Sequence, residues 1–356
     1  MIDKEYISAD GVIKLRNSDI THVCIAPNIF PLLQYLLLMN DDIIFCHTYY
    51  FVNELISEEA RKKIPCSCYN YYGKSFAQKI NRRFSKIKLK FGKYFSYPFL
   101  KNAEIFAYDI PYLSLCIGNR PYSMLSDAPN WVTLNMQPTC AEFIRQRQKA
   151  NSFIGRLQRF VFGDLFVNFL GNNKQSKAFY LTEENISPIL EGKEVYIQSL
   201  ESLYEQSSAK KREFIMDMFG VRKEDIIMLN QKPNLFFSQP LINDCSLTEN
   251  EYIEILRAVF QHYPIESIIV KTHPRDNFNY KKYFPNITMY TKQVNSQLLS
   301  LIGVKPRRII TISSTAIEGF PETIECDYFG VAIHPKIEKC YGKDYKPNRK
   351  VHYMTK

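Results

Sequence analysis

Three potential cations stand together where a short apolar run of the sequence ends. The run 268–270 is followed by Lys271, His273 and Arg275, and Pro274 prevents a strand from continuing. A continuous β-branched run of this kind is typical of a parallel strand that is covered on both faces. In open parallel sheets, ligands collect at the carboxyl ends of the strands. The sequence therefore predicts an anion site at this end.

A second predicted strand end carries hydroxyl groups. Residues 308–312 read as a strand, and Ser313, Ser314 and Thr315 follow it at the start of a predicted helix. The unpaired N–H groups and the positive dipole end of a helix N-terminus attract phosphate. A Ser-Thr cluster can also be an ordinary N-cap, and a His-Pro an ordinary turn. The occurrence of both features after predicted parallel strands favours phosphate binding.

Two carboxylates follow predicted strands, and the first of them is a candidate for a general base. Asp127 lies in a polar turn after the predicted strand 121–125, and it could take a proton from an acceptor hydroxyl if two Rossmann-like halves face each other across a cleft. Asp244, in the loop after the strand end 237–240, is a second carboxylate near the strand ends. The alternative for Asp127 is an Asx turn before a proline.

The length of the chain and its opening pattern predict two α/β domains. At 356 residues with 46% apolar content, the chain has material for two cores. Residues 21–26 read as a strand, 28–39 as a helix capped by Asn28, and 43–47 as a second strand. No Gly-x-Gly occurs near this opening, which argues against a dinucleotide site or a P-loop.

The cysteines and the hydropathy pattern indicate a cytosolic protein. The nine cysteines stand mostly singly in apolar surroundings, which predicts reduced thiols and neither disulfides nor a zinc site. No apolar run has membrane-spanning length, and no signal peptide opens the chain. We therefore expect a cytoplasmic protein.

A basic segment and the net charge of +10 indicate an anionic partner. Lys74 to Lys93 contains eight basic residues and no acidic one, with apolar residues on one helical face. Such a helix can lie on an anionic membrane surface, or it can be a solvated helix with an ordinary apolar stripe on the core. No recognised nucleic-acid module accompanies the charge, so no nucleic-acid partner is expected.

Four short motifs together resemble those of bacterial sialyltransferases. They are Leu125–Asn130, Phe237–Pro240, Lys271–Arg275 and Ser313–Thr315. In this order they resemble glycosyltransferase family 52, the lipooligosaccharide sialyltransferase family, and more distantly the bacterial polysialyltransferases. The acidic-acidic-glycine turn of such enzymes appears here as Ser126-Asp127-Ala128, which keeps the central acid but loses its acidic neighbour and the glycine.

The resemblance implies an α/β protein of GT-B-like fold, with two Rossmann-like domains facing across a cleft. The expected domains are an N-terminal acceptor-side domain over 1–172, a linker with connecting helices over 173–225, a C-terminal CMP-binding domain over 226–338, and a basic tail over 339–356.

It also implies an inverting, metal-independent transfer of sialic acid from CMP-sialic acid to a sugar hydroxyl. The acceptor would be a galactose-terminated oligosaccharide or glycolipid of a bacterial lipooligosaccharide, O-antigen or capsule. Asp127 or Asp244 would remove the hydroxyl proton, and His273 would donate to the departing phosphate. The predicted donor-binding residues are Lys271, His273, Pro274, Arg275, Ser313, Ser314, Thr315 and Gln239.

No cofactor or metal is expected on this interpretation. The nearest approach to an Asp-x-Asp metal motif is Glu325-Cys-Asp327, which we predict to be structural. Two alternatives stay open: a transferase of the same fold that uses a UDP-sugar, and a non-catalytic glycan- or membrane-binding protein. A serine hydrolase is set aside because no Gly-x-Ser-x-Gly occurs. The enzyme is expected at the inner face of the cell membrane.

Overall fold

The chain forms two compact units, Met1–Phe219 and Gly220–Lys356. The computed structural model describes residues 4–69, 86–92, 94, 96–343, 345–347 and 349–355. Within these residues, each unit contains one parallel sheet, and a short antiparallel pair, β1 (Glu5–Ile7) with β2 (Lys14–Arg16), belongs to the first unit.

The sheet of the first unit has seven parallel strands in the part of the chain that is described, in the order β5-β4-β3-β6-β7-β8-β9. They are β3 (His22–Ala26), β4 (Thr48–Asn53), β5 (Cys66–Tyr69), β6 (Glu104–Ala107), β7 (Tyr122–Met124), β8 (Ser176–Leu181) and β9 (Glu194–Ile197). The chain begins at β3 in the middle of the sheet and adds β4 and β5 on one side. It then returns to the middle and adds β6 to β9 on the other side. This is the doubly wound order, with its switch point between β3 and β6.

Helices connect and cover these strands. They are α1 (Ile29–Leu38), α2 (Glu58–Lys62), α3 (86–92), α4 (Trp131–Asn135), α5 (Ala141–Asn151), α6 (Phe153–Phe162), α7 (Leu200–Gln206) and α8 (Ala209–Met218). The predicted cap of α1 is confirmed, because the Asn28 side chain accepts a hydrogen bond from the N–H of Phe30. Nearly every residue of α1 is buried, which anchors the loop before it against the sheet.

The second unit repeats the doubly wound order with six described parallel strands, β12-β11-β10-β13-β14-β15. They are β10 (Asn234–Phe237), β11 (Ile268–Lys271), β12 (Thr288–Tyr290), β13 (Arg308–Thr311), β14 (Glu325–Tyr328) and β15 (His352–Tyr353). Every residue of β10 and β11 is buried, as expected for strands covered on both faces. The switch point lies between β10 and β13.

Helices of the second unit are α9 (Lys223–Asn230), α10 (Leu241–Asp244), α11 (Glu249–Phe260), α12 (Tyr280–Tyr283), α13 (Ser296–Leu301) and α14 (Pro335–Tyr341). The spacing of Thr248 and Glu251 in the sequence predicts a capping box at the start of α11. It is present, because each of these two side chains accepts a hydrogen bond from the backbone N–H of the other residue. Helix α11 packs its apolar face on β10 and β11, and its Phe260 ring meets Phe236 edge to face.

The segment predicted as a linker, 173–225, belongs instead largely to the first unit. Its strands β8 and β9 extend the first sheet, and its helices α7 and α8 pack on α1. Lys211 of α8 is buried and its ammonium donates to the carbonyl of Met39 at 2.6 Å. The carbonyl groups at the end of α1 are thus bound by a residue of a fixed helix and not of a flexible linker. The first unit extends to Phe219.

The predicted basic tail, 339–356, is also part of a folded unit. Strand β15 pairs with β14, and the Arg349 side chain is buried and donates to four backbone carbonyls, those of Ile317, Phe320, Pro321 and Ile324. A guanidinium that satisfies carbonyls in this way fixes the last residues against the loop before β14.

Two local predictions are wrong. Residues Ile43–His47, predicted as a strand, form a π-helix, and the strand is Thr48–Asn53, all of whose residues are buried. The apolar run 329–333 also predicts a late strand, but the strand is Glu325–Tyr328 and Val331–Ile333 is a 3-10 helix. The helix predicted to begin at Ser313 to Thr315 is present as a 3-10 helix of five residues, Thr315–Gly319.

Two further features of the described residues concern the cysteines and the lengths of the helices. The nine cysteines all lie among the described residues and are free. Across the described ranges, no helix combines the length and the apolar character that crossing a bilayer would require.

Gly171 offers a test of the packing in the first unit. Its backbone has φ +72°, its N–H donates to Asp109 at 2.8 Å, and an added Cβ would lie 2.3 Å from the Phe179 ring. We expect Gly171→Ala to lower the free energy of unfolding by about 2–4 kcal/mol, because strain and overpacking act together. Urea unfolding followed by circular dichroism measures this loss.

Gly192 supplies the matched control. Its φ is +70°, but an added Cβ would meet open space. Gly192→Ala should therefore cost only the backbone strain, roughly 1 kcal/mol. Equal losses in the two variants would contradict the packing argument.

Candidate active site

The switch point of the second sheet is lined by the loops after β10 and β13. Gln239 follows β10 and Ser313 follows β13, and both side chains are buried. The Gln239 side-chain oxygen accepts from both the backbone N–H and the hydroxyl of Ser313, each at 2.9 Å. This pair joins the two loops, so the crevice at the switch point has a fixed floor.

His273 is held at the end of the neighbouring strand β11. The hydroxyl of Ser238, which is buried, accepts from the N–H of His273 at 3.0 Å and donates to the Asp276 carboxylate. Asp276 also accepts from the N–H of Phe278 and from the hydroxyl of Tyr280. The turn that carries His273 is therefore tied both to β10 and to the start of α12.

The imidazole of His273 is neutral at physiological pH. Burial, together with the positive charges of Arg275 and Lys271, lowers its pKa to about 4, although Asp244 opposes the shift. The N–H of Arg275 donates to Nδ1 at 3.1 Å. A neutral ring that accepts at Nδ1 carries its proton on Nε2, so His273 presents one N–H donor.

Lys271 is a buried ammonium at the end of β11. Only 4% of the residue is exposed, and burial lowers its pKa to about 8. Its Nζ donates to the carbonyl of Thr272 at 2.9 Å. A buried cation bonded to a neutral carbonyl is poorly compensated, and an anion at the strand end would stabilise it.

Arg275 and Asp244 form a bidentate ion pair. The two terminal nitrogens of Arg275 lie 2.8 and 2.9 Å from the two oxygens of Asp244, which ends α10. The structure thus brings Asp244, Arg275 and His273 into one group in the second unit. Both oxygens of Asp244 are therefore already engaged by the guanidinium of Arg275.

The remaining predicted donor-binding residues follow the ends of β11 and β13. Pro274 and Thr315 are exposed, and Ser314 is partly exposed and caps the short 3-10 helix through a bond from the N–H of Ala316 to its hydroxyl. Because that helix has only five residues, its dipole contributes little, and any phosphate binding there relies on local N–H and hydroxyl groups. The phosphate-binding role of Ser313 and Ser314 stays a prediction.

Asp127 lies in the first unit, just after β7. Its carboxylate accepts from the side-chain amide of Asn28 and from the hydroxyl of Tyr108, which follow β3 and β6. Burial raises the pKa of Asp127, while these two donors lower it. The residue as a whole is partly exposed. A carboxyl with a raised pKa beside a sheet switch point has the properties of a general base.

The turn that carries Asp127 is fixed by a residue that sequence reasoning did not single out. Gln34 of α1 is buried; its side-chain oxygen accepts from the N–H of Ser126 at 2.7 Å, and its amide donates to the carbonyl of Tyr180 at 3.0 Å. The Ser126 hydroxyl donates to the same carbonyl. A single amide within the apolar run 29–38 was the available signal.

Three other residues of the second unit have structural partners, and two of them belong to the motif Glu325-Cys-Asp327. Glu325 and Asp327 of β14 both contact Arg308, at 2.6 and 3.3 Å, as expected of structural residues. His334 caps α14 through a bond from the N–H of Lys336. Among the described residues, no group of three or more metal-ligating side chains is present. Of the predicted membrane segment Lys74 to Lys93, residues 74–85 and 93 lie outside the described ranges, and 86–92 is helical.

Two doubly wound units define the GT-B class of glycosyltransferases, as predicted. The family model of glycosyltransferase family 52 matches residues 146–337, more than half of the chain. The chain therefore belongs to glycosyltransferase family 52.

Comparisons with individual proteins agree with this fold. A 2,6-sialyltransferase from Photobacterium, solved with the donor product CMP and the acceptor lactose, is 10% identical with a TM-score of 0.54, covering 86% of this chain and 71% of that one. An α/β-galactoside α-2,3-sialyltransferase from Photobacterium phosphoreum is 12% identical with a TM-score of 0.53, covering 93% and 98%. At these identities the likeness shows the fold alone.

A relative in sequence is an uncharacterised protein of Haemophilus influenzae. It is 33% identical over 173 residues, which are 48% of this chain and 56% of the relative. The match thus spans little more than half the length of that protein.

Proposed function

We propose that the protein is an inverting, metal-independent sialyltransferase that uses CMP-sialic acid. The observation that carries the proposal is the second-unit switch point, where a buried Lys271 and a neutral His273 end the strand beside the Gln239–Ser313 pair. Family membership supports the reaction class. The structurally similar Photobacterium enzyme was solved with CMP and lactose, which supports the donor and acceptor types.

The second unit would stabilise the leaving group. The bond between the anomeric carbon and the phosphate oxygen breaks, and its electron pair remains on CMP. The Nε2–H of the neutral His273 ring would donate a hydrogen bond to that oxygen as its negative charge develops, and the proton would stay on the ring. The Lys271 ammonium would compensate the same charge in a buried setting, where electrostatic interactions are strong.

The first unit would activate the acceptor. The acceptor hydroxyl attacks the anomeric carbon from the face opposite the phosphate, so a single displacement inverts the configuration. Asp127 would receive the hydroxyl proton. We favour Asp127 over Asp244 because Asp127 is bound by neutral donors and has a raised pKa, whereas both oxygens of Asp244 pair with Arg275.

The acceptor class and location follow from the same proposal. A galactose-terminated oligosaccharide or glycolipid of lipooligosaccharide, O-antigen or capsule would be modified at the cytoplasmic face of the membrane. The free thiols are compatible with a reducing compartment.

The test is release of CMP from CMP-sialic acid by the intact protein in EDTA, with and without lactose, beside a protein-free control. Sialylated lactose with the inverted anomeric configuration is the expected product, and NMR of that product reports the configuration. Consumption of a UDP-sugar in place of CMP-sialic acid would overturn the donor assignment. Binding of CMP without transfer or hydrolysis would indicate a non-catalytic protein.

The pH dependence of CMP binding tests the role of Lys271. Lysine is cationic below its pKa, which is about 8 here, so the free protein loses this charge above pH 8. We expect the CMP affinity, measured by calorimetry, to fall by up to about tenfold per pH unit between pH 8 and 10, because binding then requires protonation.

Lys271→Arg separates this effect from general alkaline damage. Arginine stays charged across the range, so the variant should bind CMP with an affinity that is flat between pH 8 and 10. Lys305→Arg, at an exposed position of the same unit, should retain the wild-type slope. A slope that persists in Lys271→Arg would exclude Lys271 as its source.

A further inference from the structure

Helix α6 turns its apolar face to solvent. Five of its ten residues are large, apolar and exposed, including Phe160 at 89% and Phe153 at 77%. The five are Phe153, Ile154, Leu157, Phe160 and Val161. Their spacing of one, four, seven and eight residues places them on one side of the helix. We call this side the α6 face.

The inner side of α6 explains why the apolar face points outwards. Gly155 is buried there, and an added Cβ would lie 1.7 Å from the carbonyl oxygen of Lys149 in α5. The helix therefore contacts α5 through backbone, with Ser152 capping the junction by accepting from the N–H of Gly155. The large apolar side chains are left with no place in this contact.

A cationic cavity of about 320 Å³ lies beside α6. Lys86, Arg145 and Lys149 line it together with the rings of Tyr112 and Phe166. The Lys86 ammonium lies 4.3 Å from the centre of the Tyr112 ring. Burial, with the charges of Arg145 and Lys86, lowers the pKa of Lys149, although Glu142 opposes this. The three cations repel one another, and an anion bound in the cavity would compensate this repulsion.

The cavity also holds polar atoms without partners. Gln146 is buried, and its side-chain oxygen has no hydrogen-bond donor. The side-chain oxygen of Gln158, which also lines the cavity, is in the same condition. Buried acceptors of this kind normally find a donor. A ligand that carries both a negative charge and hydroxyl groups would satisfy the cations and these oxygens together.

The surroundings of the α6 face are strongly basic. Segments 86–92 and 141–164 contain eight basic and two acidic residues. Both acids are engaged, Glu142 with Arg145 at 2.7 Å and Asp164 with Arg159 at 3.1 Å. Helix α3 adds the exposed side chains of Ile87 and Phe91. A second copy of the chain would bring like charges together, whereas an anionic lipid surface offers opposite charge and an apolar layer.

We propose that the α6 face and its cavity dock the protein on an anionic phospholipid bilayer. The apolar side chains enter the boundary between headgroups and acyl chains, and the cavity takes a phosphoglycerol headgroup between its three cations and two amide oxygens. This surface includes the described helix 86–92 of the predicted segment Lys74 to Lys93, and it adds the α6 face and the cavity to that segment. The inference does not depend on the proposed transfer reaction.

Vesicle flotation of the full chain tests the docking. The wild-type protein should float with phosphatidylcholine vesicles that contain phosphatidylglycerol, and much less with phosphatidylcholine alone or at high salt. Phe160→Asp should lower the vesicle-bound to free ratio by at least about tenfold, since it places a charge in the apolar layer. Arg145→Ala and Lys149→Ala should each lower it roughly fivefold.

Matched controls show whether the losses are local. Ile227→Asp places the same negative charge at an apolar residue of α9 that is 59% exposed and lies outside the α6 face. Lys305→Ala removes an exposed cation of the second unit. Both should bind vesicles as the wild type does, with all variants checked by thermal unfolding. The proposal would be overturned if the wild-type protein floated equally well with and without phosphatidylglycerol and at low and high salt. It would also be overturned if the protein were a dimer that Phe160→Asp dissociates. A third contradicting result would be saturable binding of inorganic phosphate by a protein that does not float with vesicles.

Discussion

His273→Ala should reduce the release of CMP from CMP-sialic acid by roughly 10²–10⁴-fold, because the departing phosphate loses its donor. The neutral ring, with its proton on Nε2, is prepared for this role by the bond from the N–H of Arg275 to Nδ1. The loss should appear in kcat both with and without acceptor, since bond cleavage to CMP occurs in both reactions. Steady-state CMP release in EDTA measures it.

His334→Ala is the matched control for this variant. The chain contains a second His-Pro at 334–335, where His334 caps α14. Loss of a cap lowers stability by about 1 kcal/mol and should leave kcat near the wild-type value. If His273→Ala releases CMP at the wild-type rate, His273 does not act on the leaving group.

Asp127→Asn should abolish transfer to lactose while sparing the slower hydrolysis of the donor. Asparagine keeps the shape and the hydrogen bond from Asn28 or Tyr108 but cannot accept a proton, so the acceptor-dependent rate should fall roughly 10²–10⁴-fold. The pKa of Asp127 is raised, and its carboxylate acts as a base only above that pKa. The wild-type transfer rate should therefore decline towards acid pH earlier than an ordinary aspartate would allow.

Asp244→Asn distinguishes the two candidate bases. Asp244 pairs with a mostly exposed Arg275, and such pairs contribute little, so transfer should change less than about fivefold. A collapse of transfer in Asp244→Asn, with Asp127→Asn near wild type, would move the base to the second unit. Both variants should retain the donor hydrolysis of the wild type, which shows that the donor site is intact.

The sequence predicted those parts of the fold whose signals are local. The buried run 268–270 and its proline stop placed β11 correctly, and the capping box placed α11. The prediction of a strand at Ile43–His47 failed because an apolar β-branched run also fits a helical turn, and the neighbouring tyrosines of β4 gave a weaker hydropathy signal. Short apolar runs do not separate these cases without tertiary contacts.

Contacts between distant residues account for what the sequence could not predict at the site. Ser238 and Asp276 are 38 positions apart, and Gln34 and Ser126 are 92 apart. No local sequence pattern indicates either pair, because the residues meet only when the sheet forms. The strands β8 and β9 within 173–225 were missed for the same reason: β8 joins the first sheet by pairing with β7, and β9 by pairing with β8.

The burial of Lys271 implies a conflict between durability and activity. An ammonium held in a low-dielectric strand end, with a carbonyl as its partner, disfavours the folded state of the empty protein. Selection for thermal resistance alone would replace it with an apolar side chain, as buried charges often can be. The end of β11 is therefore a position where the residue present lowers the stability of the empty protein. A nucleotide that binds only the folded state would raise that stability again by mass action.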